Sequence, residues 1–68
     1  MAGKYFWIKE RHNPQLGVYY VPMGNLTVKE AKKHEEPIYG TNYMNRFDSQ
    51  EAYEMELARL RAEDKKVY

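Results

Sequence analysis

The chain has 68 residues, 43% of them apolar and 31% charged, which allows one domain near the lower limit of independent folding, burying only about 60% of its unfolded surface. It has no cysteine, which excludes a disulfide framework and a thiolate zinc site, so the fold must stand on its apolar core alone. With 11 basic against 10 acidic residues the net charge is +1, which argues against broad electrostatic wrapping of a phosphate backbone.

At the N-terminus, charges return at Lys9, Glu10 and Arg11 before any apolar run reaches the length of a signal peptide or a membrane span. A soluble, cytoplasmic, monomeric protein of one domain over 1–68 is expected, with 1–3 and 66–68 as loose ends.

Residues 4–11 are rich in aromatic and β-branched side chains and read as a strand. Period-two alternation puts Phe6 and Ile8 on one face and Tyr5 and Trp7 on the other, and the second face continues into Lys9 and Arg11. Residues 12–17 carry turn signals, Pro14 fixing one φ and Gly17 able to supply a positive one. A second strand over 18–21 is expected to stop at Pro22, which cannot donate to a ladder, and Met23, Gly24 and Asn25 then turn the chain. The hairpin is apolar on both faces.

Thr27-Val28-Lys29-Glu30 has the layout of a capping box, with Leu26 and Ala31 at the flanking apolar positions. It predicts a short surface helix over 28–35, stopped by Pro37. In 37–47, Ile38 and Tyr39 extend, Gly40 breaks or bulges the chain, and 43–47 forms a third strand or, alternatively, an ordered loop with anchoring aromatics. Asp48-Ser49-Gln50-Glu51 repeats the capping layout and opens the clearest helix, over 49–64. There Tyr53, Leu57 and Leu60 form one apolar stripe, Glu56 and Arg59 pair on the outer side, and Met55 falls off the stripe as a flank contact. The whole reads as a small α+β domain: an antiparallel β-hairpin or three-stranded sheet packed against a C-terminal α-helix, with a short helix at its margin.

One helical stripe covers only one face of such a hairpin: either Phe6 and Ile8 meet it and Tyr5 and Trp7 await a partner, or Trp7 packs under a helix and that face is core. Tyrosine, tryptophan and arginine are favoured at interfaces because they combine apolar area with polar tips. Tyr5, Trp7, Lys9, Arg11, Tyr20, Tyr43 and Arg46 are therefore the candidate partner-binding residues, and a Trp7→Ala/Arg11→Ala double variant is expected to lose binding yet stay folded. Catalytic motifs are missing: there is no Gly-rich phosphate loop, serine elbow or histidine pair at metal spacing, and His12 beside a turn reads as a solvated or capping residue. No enzyme activity, cofactor or metal is expected.

Two binding classes follow. The first is a protein-binding inhibitor or regulator, whose aromatic face or exposed strand edge accepts a segment of its target. The second is a single-stranded nucleic-acid module, with Tyr5, Trp7, Tyr19 or Tyr20 stacking on bases while Lys9, Arg11, Lys29, Lys32 and Lys33 meet phosphates. Acids interleaved at Glu10, Glu30, Glu35 and Glu36 weigh against the second. Burial of the free face by self-association is a third possibility.

Tyr5-Phe6-Trp7-Ile8-Lys9-Glu10-Arg11 and Tyr39-Gly40-Thr41-Asn42-Tyr43 give the chain a wording that resembles very small phage-encoded regulators of host bacterial RNA polymerase. The resemblance implies a transcription inhibitor and antiterminator in the host cytoplasm, bound near the RNA exit and the promoter-factor docking site. A related phage inhibitor of a host defence complex is the alternative of the same kind.

Overall fold

The computed structural model describes residues 3–35 and 41–68. Its elements are β1 (Lys4–Asn13), β2 (Gly17–Thr27), α1 (Val28–Lys33), β3 (Thr41–Phe47) and α2 (Gln50–Ala62). The strands form one antiparallel sheet in the order β2-β1-β3. The molecule is thus an α+β domain with a three-stranded sheet, a C-terminal helix and a short accessory helix. The expected roles of Pro37, Ile38, Tyr39 and Gly40, and of Met1 and Ala2 as a loose end, lie outside the described residues.

The β1–β2 turn follows from three side chains. Asn13 pairs with Gly17 across a three-residue loop, and its Oδ1 accepts from the backbone N–H of Gln15 (2.8 Å) and Leu16 (2.9 Å). Gly17, which closes the loop opposite Asn13, takes φ +85°, a left-handed conformation open to glycine without strain.

Beyond Val21 the structure departs from the expected strand end. β2 runs on to Thr27 because the pairing slips by one residue, with Trp7 opposite Gly24 but Ile8 opposite Pro22. Met23 is the extra residue of a β-bulge, and Gly24 takes φ +76° beside it. The bulge is what lets a proline sit inside a strand.

Both faces of the hairpin are buried at one end. On one face Ile8 is 1% exposed, Leu57 and Leu60 of α2 are buried, and the Tyr53 ring lies 5.4 Å from Phe6 and 6.3 Å from Phe47. On the other face Trp7 is 6% exposed, and its indole Nε1–H donates to the Leu26 carbonyl at 2.9 Å. That burial accompanies α1, which packs against β1 and β2 and buries Ala31. Of the two arrangements open from the sequence, Phe6 and Ile8 do meet α2, and Trp7 does not await a partner but packs under a helix, because α1 contributes a second, smaller layer. Trp7, Ile8, Ala31, Leu57 and Leu60 are the buried apolar side chains among the described residues.

The helix ends are set by their caps. Thr27 and Glu30 form the full capping box, with Glu30 N–H to Thr27 Oγ1 at 3.2 Å and Thr27 N–H to Glu30 Oε1 at 2.9 Å. The Thr27 backbone N–H, and then its hydroxyl, hold the Glu30 carboxyl below the usual range. α1 is shorter than expected, with His34 as its C-cap. For α2 the N-cap is Ser49 rather than Asp48, its Oγ accepting from Ala52 N–H at 3.1 Å. At the other end Asp64 adopts φ 57°, Lys65 N–H bonds to Leu60 O (2.9 Å) and Asp64 N–H to Arg61 O (3.1 Å). This is a Schellman motif, with aspartate where glycine is usual.

The chain's last residues do not hang loose as expected. Val67 bridges Tyr20 in parallel, with Tyr20 N–H to Lys66 O and Tyr68 N–H to Tyr20 O both at 2.8 Å. Lys66 Nζ reaches the Leu16 carbonyl at 3.0 Å, and the Tyr68 ring meets Tyr19 edge-on at 5.2 Å. The tail thereby pairs with the outer edge of β2 at Tyr20.

Candidate functional site

The seven candidate residues do not form one patch. Alternation along β1, and the pairing of Trp7 with Arg46, put Tyr5, Trp7, Lys9, Arg11 and Arg46 on one face. Tyr20 and Tyr43 both pair with Glu10 and so lie on the opposite, α2 face.

Their environments differ as much as their positions. Trp7 is sealed into the core and offers no ring to a partner. Arg11 donates from Nη1 to Asn42 Oδ1 at 2.7 Å, and Asn42 is itself buried. The Arg46 guanidinium stands 4.7 Å over the Tyr5 ring, a cation–π contact, with Asp48 at 3.7 Å. Lys9 is half-buried. On the other face burial, and next the Glu10 carboxylate, raise the Tyr20 phenol above its usual value. Tyr43 is 52% exposed and meets the His12 ring edge-on at 5.3 Å, while His12 Nε2 is paired with Glu10.

Alternation also sorts the charges. Glu10, interleaved with cations in the sequence, points to the α2 face, so the strand positions of the Tyr5 face hold Lys9, Arg11 and Arg46 with no acid between them.

A small polar cavity between sheet and α2 is lined by Glu10, Tyr20, Glu56 and Arg59 above Ile8 and Leu60. Its one cation, Arg59, is already engaged. Glu56 is held below the usual carboxylate range by the Arg59 guanidinium, which donates to both its oxygens at 2.6 and 2.7 Å and also binds Glu63. Among the described residues no group of three histidines or carboxylates stands close enough to hold a metal ion.

The site the residue list underrates is an edge. β1 is paired on both sides and β2 is bridged by the tail, whereas among the described residues nothing pairs with the outer side of β3. A strand with one side open presents a row of free N–H and C=O groups, the natural template for another strand. Tyr43 projects from this strand on the α2 face and Arg46 on the other, and both are exposed. The sequence signal for it was present in the expected third strand, but an edge is defined by pairing order, which strand identity alone does not give.

No protein-family model matches the chain, and neither does a curated protein or a solved structure. Fold and site together define a small α+β domain in which, among the described residues, one sheet edge is bridged by the tail at Tyr20 and the other is unpaired, and no helix is long and apolar enough to cross a membrane.

Proposed function

We propose that the chain is a non-enzymatic protein-binding regulator that takes an extended segment of a larger partner onto the outer edge of β3. The observation that carries this reading is the asymmetry of the sheet: the tail pairs with the β2 edge at Tyr20, while among the described residues nothing pairs with the outer side of β3. In such strand addition the main-chain hydrogen bonds supply affinity and the alternating side chains supply specificity. Here those side chains are Tyr43 on one face and Arg46, stacked on Tyr5, on the other.

The likeness to phage-encoded regulators makes bacterial RNA polymerase the partner to test first, with effects on promoter recognition and termination. The test is binding of purified, nuclease-treated polymerase to the immobilised chain over a salt series, repeated with a Tyr43→Ala/Arg46→Glu variant. Both side chains are exposed, so the variant keeps its melting transition. The proposal expects saturable binding that weakens at least ten-fold in the variant. Absence of binding removes the polymerase, and equal binding by the variant removes the β3 edge.

Lys9, Arg11 and Arg46, at strand positions with no acid between them, favour a second reading, single-stranded nucleic acid lying across the sheet beside α1. Three phosphate contacts on a single strand give a log–log salt slope of about −2. A dT oligonucleotide bound with that slope, in a preparation that ignores polymerase, would decide for it.

A further inference from the structure

We infer that the groove between α2 and the β3 edge selects the incoming segment, taking an apolar side chain onto Met55, Phe47 and Ala52 with a lysine or arginine beside it. This rests on strand addition at β3 and names what the added strand must carry.

The groove follows from how α2 spends its faces. Tyr53, Leu57 and Leu60 turn toward the sheet, while Ala52, Met55, Glu56 and Arg59 lie along the flank that borders Phe47. Met55 is 65% exposed although it is a flexible, polarizable apolar side chain of the kind that adapts to varied partners. A strand added to β3 lies about 4.8 Å outside it, and every second side chain then points to the α2 face, beneath that flank. The open edge and the groove therefore address the same segment.

Charge fixes the rest of the partner's chemistry. The first half of α2 carries Glu51, Glu54 and Glu56 before any arginine. Glu56 is committed to Arg59, whereas Glu54 accepts only the Gln50 amide, at 3.4 Å. Glu51 and Glu54 flank Met55 on the side away from Phe47, giving the groove a negative rim. The other face of β3 presents Arg46. The best-matched segment thus alternates, with apolar and basic side chains toward α2 and an acidic one toward Arg46. An occupant with the opposite alternation meets like charge on both faces.

The probe is the capped peptide Thr-Lys-Thr-Leu-Glu-Lys-Thr, and its control is the charge-reversed Thr-Glu-Thr-Leu-Lys-Glu-Thr. Each is titrated into the full chain and followed by backbone amide and Met55 methyl shifts in NMR. The first peptide is expected to move the amides of β3 and the Met55 methyl, and the control to bind at least ten-fold more weakly. Met55→Ser, which removes the apolar contact without adding charge, should weaken the first peptide, and Glu51→Lys/Glu54→Lys should invert the preference. All three positions are exposed, so the variants fold. If β3 amides respond equally to both peptides and the Met55 methyl stays still, the groove plays no part and strand addition survives without it. If no β3 amide moves with either, strand addition falls and the groove with it. Shifts that grow with protein concentration alone assign the edge to a second copy and overturn both.

Discussion

Replacing Trp7 with alanine removes the largest side chain of a core that holds few. The indole is 6% exposed and its Nε1–H is the hydrogen bond to the Leu26 carbonyl. Truncating a buried aromatic to alanine costs about 3–5 kcal/mol, and losing the hydrogen bond adds about 1 kcal/mol. A chain of 68 residues has about 3–10 kcal/mol of stability in total. Trp7→Ala is therefore expected to lose about 4–6 kcal/mol, a large part of that total, and to unfold at much lower urea, while Trp7→Phe, which keeps most of the ring volume, is expected to cost only about 1–2 kcal/mol. The assay is urea denaturation followed by far-ultraviolet circular dichroism, with the exposed Lys29→Ala as a surface control that shifts by less than about 0.5 kcal/mol. A Trp7→Ala protein with the parent's midpoint and slope would refute the placement of the indole in the core. By the same reasoning the Trp7→Ala/Arg11→Ala variant measures folding rather than binding.

Other consequences can be checked on the same material. Asp64→Gly relieves a left-handed residue at φ 57° and is expected to stabilise by about 0.5–1 kcal/mol, read as a higher urea midpoint. Glu30 has its folded pKa depressed by Thr27, so the stability it contributes is present above its unfolded value of about 4.3 and is lost as pH falls through the folded value. Glu30→Gln should flatten part of the acid limb of stability against pH, and the part that remains belongs to carboxylates such as Glu56, likewise depressed by Arg59. Removing residues 66–68 deletes two backbone hydrogen bonds to Tyr20, worth about 1–3 kcal/mol together, and opens the second sheet edge. The truncated chain should melt earlier and self-associate in light scattering, and unchanged behaviour in both would contradict the role given to the tail.

What could be read from the sequence was whatever depends on neighbours in the chain. Alternation in β1, the Asn13–Gly17 turn, the Thr27–Glu30 capping box and the Tyr53–Leu57–Leu60 stripe are each fixed by residues within a few positions of one another, and each is present. The extension of β2 past Pro22 was not legible, because a bulge at Met23 exists only in relation to the strand opposite it. Whether Trp7 was core or contact surface stayed open for a related reason. α1 is nearly all charged and offers little more than Ala31, and only its position against β1 and β2 makes so small an apolar surface enough. The candidate residues share a composition typical of interfaces, but alternation splits them over two faces, and the β3 edge that unites Tyr43 with Arg46 depends on strand order and on where the tail docks.

Hydrogen exchange of the backbone amides, measured for the chain alone and with purified RNA polymerase, tests the open edge most directly. Alone, the Tyr20 amide bound by the tail should exchange slowly, while the outward-facing amides of Thr41–Phe47 should exchange fast. In the complex those β3 amides should become protected. If β3 is already protected on both sides in the free chain, or if polymerase binds and protection appears elsewhere, the edge is not the site and the account fails at its centre.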